Sequence, residues 1–240
     1  MARKVILMLV AGLLLGWNCS AKVYLVSVGI SDYPGTANDL HLCTNDARQV
    51  DEVYRLNGNT VSSLLLDRRA TGDNIVAELR RVLGQAKAAD IAVFYFSGHG
   101  YPGGFRAYDR MLSYTEIRKA MSTSKSNNKM IFADACFSGK IRTDKKQSQP
   151  SKWNVMLFLS SRSNEVSIEK NGMENGIFTT WLQRGLRGGA DANRDSVVTA
   201  QELYQFVAPG VAKTSMQKQH PVMWGSFPNN MPVISWKKKR

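Results

Sequence analysis

Apolar residues along this chain follow two rhythms. Residues 22–30 (KVYLVSVGI), 61–66, 91–96 (IAVFYF), 129–133 and 155–160 are short, nearly continuous apolar runs rich in β-branched and aromatic side chains. Strands covered on both faces read this way. Between these runs apolar residues recur every three or four positions. Ala47, Val50, Val53 and Leu56 do so within 45–56, and Ile75, Leu79 and Leu83 within 73–83. Residues 114–121, 178–186 and 200–207 carry the same helical spacing. Strands alternating with helices predict an α/β fold with a mostly parallel central sheet and helices on both faces. Such sheets bind ligands beyond the carboxyl ends of their strands. Two of the predicted strands end in chemically loaded loops. IAVFYF runs into Ser97-Gly98-His99-Gly100, and the strand over 129–133 runs through Asp134 and Ala135 into Cys136-Phe137-Ser138-Gly139.

The first twenty-one residues stand outside this pattern. Arg3 and Lys4 precede an apolar run over 5–17, and Cys19-Ser20-Ala21 follows with small residues. This is the arrangement of a secretory signal cut after Ala21, and the run is too short for a comfortable bilayer span. Acylation at Cys19 is the rival reading, disfavoured by Trp17 and Asn18 just before it. The expected organisation is thus a leader over 1–21, one domain over 22–228, and a basic tail over 229–240. Residues 140–152 (KIRTDKKQSQPSK) form an exposed basic linker inside the domain.

The 240 residues are 43% apolar and 21% charged, which excludes a disordered chain or a disulfide scaffold. The formal charge of +13 falls to +11 once Arg3 and Lys4 leave with the leader. No aromatic-interleaved basic face accompanies that charge, so it reads as a solvated surface and no nucleic-acid partner is expected. The mature chain keeps two cysteines, Cys43 and Cys136. An oxidising compartment would allow them to pair, but a nearby histidine also suggests chemistry.

A nucleophilic cysteine needs a general base within hydrogen-bond reach. His99 and Cys136 each sit just past a buried strand, in loops that the topology brings together. The amides of Gly100 and Cys136 could then serve a tetrahedral oxyanion. An isolated histidine or cysteine is usually structural; the conjunction of positions reverses that expectation.

These residues carry a family resemblance. Ser97-Gly98-His99-Gly100 resembles the histidine loop of caspase-like cysteine peptidases. Asp134-Ala135-Cys136-Phe137-Ser138-Gly139 resembles the nucleophile loop of metacaspases and bacterial caspase-like proteins (orthocaspases). VYLVSVGISDYPG is similar to the family's first strand and loop. Leu40-His41-Leu42-Cys43-Thr44-Asn45-Asp46-Ala47 is similar to its L-x-G-C-x-N-D-A segment, with Leu42 in place of glycine. Asn175-Gly176-Ile177-Phe178-Thr179 and Gln219-His220-Pro221 resemble further recurring motifs.

The resemblance implies a caspase-like fold and a catalytic pair of His99 and Cys136. It also implies a substrate pocket made by Cys43, Asp46, Ser97 and Asp134. Two carboxylates in one pocket favour a Lys or Arg side chain before the scissile bond, whereas aspartate would meet like charge. The expected activity is therefore a secreted, monomeric endopeptidase that acts on proteins or peptides after Arg or Lys. It would not be stably inserted in a membrane, and self-cleavage in the 140–152 linker is a further expectation. The alternative is a catalytically silent caspase-like binding module, responsive to calcium.

The chemistry itself requires no cofactor. A candidate calcium loop spans 191–202, with Asp191, Asn193, Asp195, Thr199 and Glu202 at the ligand positions of an EF-hand and Val197 at its carbonyl position. Ser196 stands where such loops carry glycine, which weakens that candidate.

Overall fold

A computed structural model describes residues 21–135, 155–161 and 173–236. Residues 1–20 of the leader, the linker over 140–152, Cys136 and the terminal 237–240 lie outside the described residues. The elements are β1 (Val23–Gly29), α1 (Cys43–Leu56), β2 (Thr60–Leu66), α2 (Gly72–Glu78), β3 (Ile91–Ser97) and the small strands β4 (Gly100–Tyr101), β5 (Gly104–Arg106) and β6 (Met111–Ser113). They continue with α3 (Tyr114–Met121), β7 (Asn128–Asp134), β8 (Val155–Leu159), α4 (Ile177–Arg184), β9 (Val197–Thr199), α5 (Ala200–Thr214), β10 (Val222–Trp224) and β11 (Pro232–Ser235).

Six strands form one sheet in the order β10-β8-β7-β3-β1-β2. All neighbours are parallel except β10, which runs antiparallel to β8. The sheet and its helices bear out the expected fold. Every residue of β1 and β3 is buried, as their unbroken apolar runs require.

Successive side chains of a strand face opposite ways, and the two faces have separate cores. Val26, Val28, Phe94, Phe96 and Ile131 pack with Ile75 and Leu79 of the α2 region and Ile117 of α3. On the other face Leu25, Val93, Tyr95, Phe132 and Phe158 pack with α1, α4 and α5 through Val50, Phe178, Leu182 and Leu203. Helix starts follow local chemistry. Ser113 and Glu116 form a reciprocal capping box on α3, and Thr199 and Glu202 form another on α5.

Three features depart from the sequence expectation. The segment after His99 folds into the antiparallel ribbon β4-β5-β6, whose two- and three-residue strands are too short to show a period. Helix α5 runs on through Pro209 to Thr214 instead of stopping near 207, because Val207 and Val211 are both buried on the same packed face. Residues 229–236 are not tail-like: β11 pairs with β9, and Met231, Val233 and Ile234 are fully enclosed. The Lys-rich end beside them masked a short apolar run. No described helix is long and apolar enough to cross a membrane.

Candidate active site

Strand register sets side by side the ends of β3 and β7, from which the two loaded loops continue in sequence. Ser97 of β3 stands opposite Asp134 of β7, and the Gly98 N–H donates to the Asp134 carbonyl at 3.3 Å. His99 lies two residues beyond the first of these positions. Cys136 follows two residues beyond the second in sequence, outside the described residues. Gly100 opens β4 and pairs with Phe105.

The imidazole of His99 is held on two sides. Its Nε2 lies 2.7 Å from the Asn38 carbonyl oxygen. A carbonyl only accepts, so Nε2 carries the proton and the neutral ring keeps Nδ1 as its basic nitrogen. Tyr33 packs its ring 4.9 Å from the imidazole. Its hydroxyl accepts the His99 N–H at 3.1 Å and donates to the Arg106 carbonyl at 3.2 Å. Burial pushes that phenol well above the usual tyrosine range, so it keeps its proton. A Cβ on Gly98 would come within 2.7 Å of the Tyr33 hydroxyl, so glycine here is what admits the tyrosine.

Asp46 and Asp134 come together beneath this loop. They are 2% and 6% exposed, which for two acids demands donors. Asp46 Oδ1 accepts the Asn175 side-chain amide at 2.9 Å and the Gly176 N–H at 3.0 Å, and its Oδ2 accepts Ser97 Oγ at 2.9 Å. Asp134 Oδ2 accepts the Thr179 N–H at 3.2 Å and the Thr179 hydroxyl at 2.9 Å. Burial first, and the neighbouring Asp134 second, push the Asp46 carboxyl up to about 8. The phenol of Tyr95, beside both acids and hydrogen-bonded to Thr179 Oγ1 at 2.6 Å, is likewise pushed up by burial and by their charge. Cys43 is buried at the first position of α1.

Of the sequence-derived positions, the described residues bring Asp46, Ser97 and Asp134 together at the end of the strand that leads to His99, with Ser97 donating to Asp46 and Asp134 accepting from Thr179. Cys43 opens the same helix that carries Asp46. Tyr33, Asn38, Tyr95, Asn175 and Thr179 had no role assigned from sequence. Tyr33, Asn175 and Thr179 lie in motifs of the resemblance, and the other two act through contacts that no spacing reveals.

The candidate calcium loop folds on itself. Asp191 accepts the N–H groups of Asp195 and Ser196, and Asp195 accepts that of Val197. Glu202, the chelating ligand of such a loop, instead accepts the Thr199 N–H and hydroxyl at 3.0 and 2.7 Å. Among the described residues no group of three or more His, Cys, Asp or Glu could hold a metal. In this arrangement Glu202 is engaged in capping α5.

The Caspase domain family matches residues 23–231. This chain belongs to that family. Metacaspase-8 of Arabidopsis thaliana is 29% identical over 137 residues, covering 47% of this chain and 36% of that protein. Metacaspase-1 of Candida albicans is 29% identical over 113 residues, covering 42% of this chain and 25% of that protein. The matched part is thus about a third or less of those relatives' length. Among solved structures, Caspase-1 from Spodoptera frugiperda superposes with a TM-score of 0.67 at 13% identity, over 92% of each chain. A protein from Geobacter sulfurreducens does so with a TM-score of 0.66 at 15% identity, over 90% of this chain and 100% of its own. These likenesses show the caspase-like fold of a metacaspase-type member of a peptidase family.

Proposed function

We propose that this member of the caspase family is a cysteine endopeptidase that cuts peptide bonds after Arg or Lys. The observation that carries the reading is the buried pair Asp46 and Asp134, set beside the strand end that leads to His99. Two acids are costly to bury and are retained where they meet a cation. A guanidinium or ammonium between them forms charge-assisted hydrogen bonds, whereas an aspartate side chain would meet like charge.

In this mechanism the thiolate of Cys136 attacks the scissile carbonyl carbon. His99 Nδ1 takes the thiol proton and returns it to the leaving amine, while Asn38 holds the opposite nitrogen in the donor form. The amides of Gly100 and Cys136 donate to the oxyanion. Water then attacks the thioester, with His99 again as base, and releases the acid product. The basic linker over 140–152 supplies cleavable bonds for self-processing, and the leader supports export of the mature chain.

The test is hydrolysis of fluorogenic Arg, Lys and Asp peptides by the mature protein, comparing wild type with Cys136→Ala. Cleavage of the two basic peptides only, lost in the variant, is the expected result. Cleavage of the Asp peptide, or of none, would overturn the reading.

A further inference from the structure

The two acids share a boundary that neither the strands nor α1 supplies. Gly176, just ahead of α4, has φ −55° and ψ 150°, a conformation open to any residue. Glycine is therefore not needed there for the backbone. It is needed for space. A Cβ at this position would lie 2.5 Å from Asp134 Oδ2 and 3.3 Å from Asp46 Oδ2. Both carboxylates pack directly against the face of this glycine where a side chain would stand.

The flanking residues hold those carboxylates in place. Asn175 donates to Asp46 and accepts the Gln183 side-chain amide at 3.1 Å, so its orientation is itself pinned. Thr179 donates to Asp134 by amide and hydroxyl. Its hydroxyl proton goes to the carboxylate, so the Tyr95 phenol must donate to Thr179 Oγ1 at 2.6 Å. One helix start thus orients both acids from one side.

We propose that Gly176 is a specificity-determining residue. It forms the floor of the pocket for the basic side chain and sets its depth, with Asn175 and Thr179 as positioning residues for the two carboxylates. The inference rests on the reading of Asp46 and Asp134 as the receptor for that side chain. Filling the floor shortens the pocket. The planar, forked guanidinium of arginine loses more than the slimmer ammonium of lysine.

The experiment measures kcat and KM on Arg and Lys peptides for the full mature chain and for Gly176→Ala. The rate of Cys136 alkylation by iodoacetamide is followed in parallel. The expected result is a fall in kcat/KM of about a hundredfold for Arg, carried mainly by KM, with a lowered Arg-to-Lys ratio and an unchanged alkylation rate. An unchanged kcat/KM and ratio would overturn the inference. Should Gly176→Ala not unfold cooperatively, Asn175→Ala takes its place, since it removes one donor to a buried carboxylate and adds no volume. A rise in KM of about tenfold or more would then support the inference, and an unchanged KM would overturn it. Absence of Arg and Lys cleavage by wild type is a separate outcome, because it removes the underlying reading before any variant is compared.

Discussion

Replacing Tyr33 by Phe keeps the ring against His99 and removes one oxygen. That oxygen serves two backbone groups, accepting the His99 N–H at 3.1 Å and donating to the Arg106 carbonyl at 3.2 Å. Tyr33 is 2% exposed, so water has poor access to fill the gap. A buried backbone group left without a partner costs about 1–3 kcal/mol. Both bonds lie toward the rim of the site, so the lower figure applies to each and the variant should lose about 2 kcal/mol. For a domain of this size that is a melting temperature about 4–8 °C lower. The functional loss should exceed what stability explains, because the released amide belongs to the histidine itself. A displacement near 1 Å can cost about a hundredfold in rate.

The expected result is therefore kcat lower by about ten- to a hundredfold on Arg peptides, with KM nearly unchanged. The acids of the pocket bond to Ser97, Asn175, Gly176 and Thr179, not to Tyr33. Tyr54→Phe is the control: its hydroxyl donates to the Val233 carbonyl at 3.4 Å, away from the site, and should cost stability without changing kcat. If Tyr33→Phe lowers the melting temperature and leaves kcat within twofold, Tyr33 only supports the fold and the positioning argument fails.

Three further outcomes follow from the buried acids and the capped loop. With Asp46 pushed up to about 8 from an ordinary 3.8, the pocket gains negative charge as pH rises, so kcat/KM for Arg peptides should climb between pH 6 and 9. Stability should move the opposite way. The folded state holds a proton that the unfolded state has released between those two values, so this group's contribution falls as pH rises from about 4 through 8. Urea unfolding of wild type and Asp46→Asn across that range would show it, and a pH slope identical in the two would refute it. Calcium or a chelator should leave peptide hydrolysis unchanged, because Glu202 is engaged in capping α5; saturable heat of calcium binding by titration calorimetry would contradict this.

Much of the architecture was legible because local rules and tertiary demands agreed. α3 lies where its apolar spacing and the Ser113–Glu116 cap put it. The central strands lie within a residue or so of their apolar runs, since a strand covered on both faces must be apolar at every position. The ribbon β4-β5-β6 and the strand β11 were hidden for the opposite reason. Each is two to four residues long, too short to show a period; the ribbon strands pair only with one another, and β11 is held by β9, more than thirty residues earlier.

The site divides along the same line. His99, Cys136, Asp46, Ser97 and Asp134 stood out because uncommon residue types fell at strand ends and in recognisable motifs. What chain order could not specify was which atoms meet. The Asn38 carbonyl that sets the His99 tautomer, and the Tyr33 hydroxyl that ties its backbone, come from a loop more than sixty residues away. The two acids became one group only when α4, more than forty residues beyond Asp134, laid Gly176 between them. Residue identity and periodicity determined the fold class and the candidate chemistry, since both depend on near neighbours in the chain. Hydrogen-bond partners and free volume were decided by tertiary structure, because they depend on segments far apart in sequence arriving within a few ångströms.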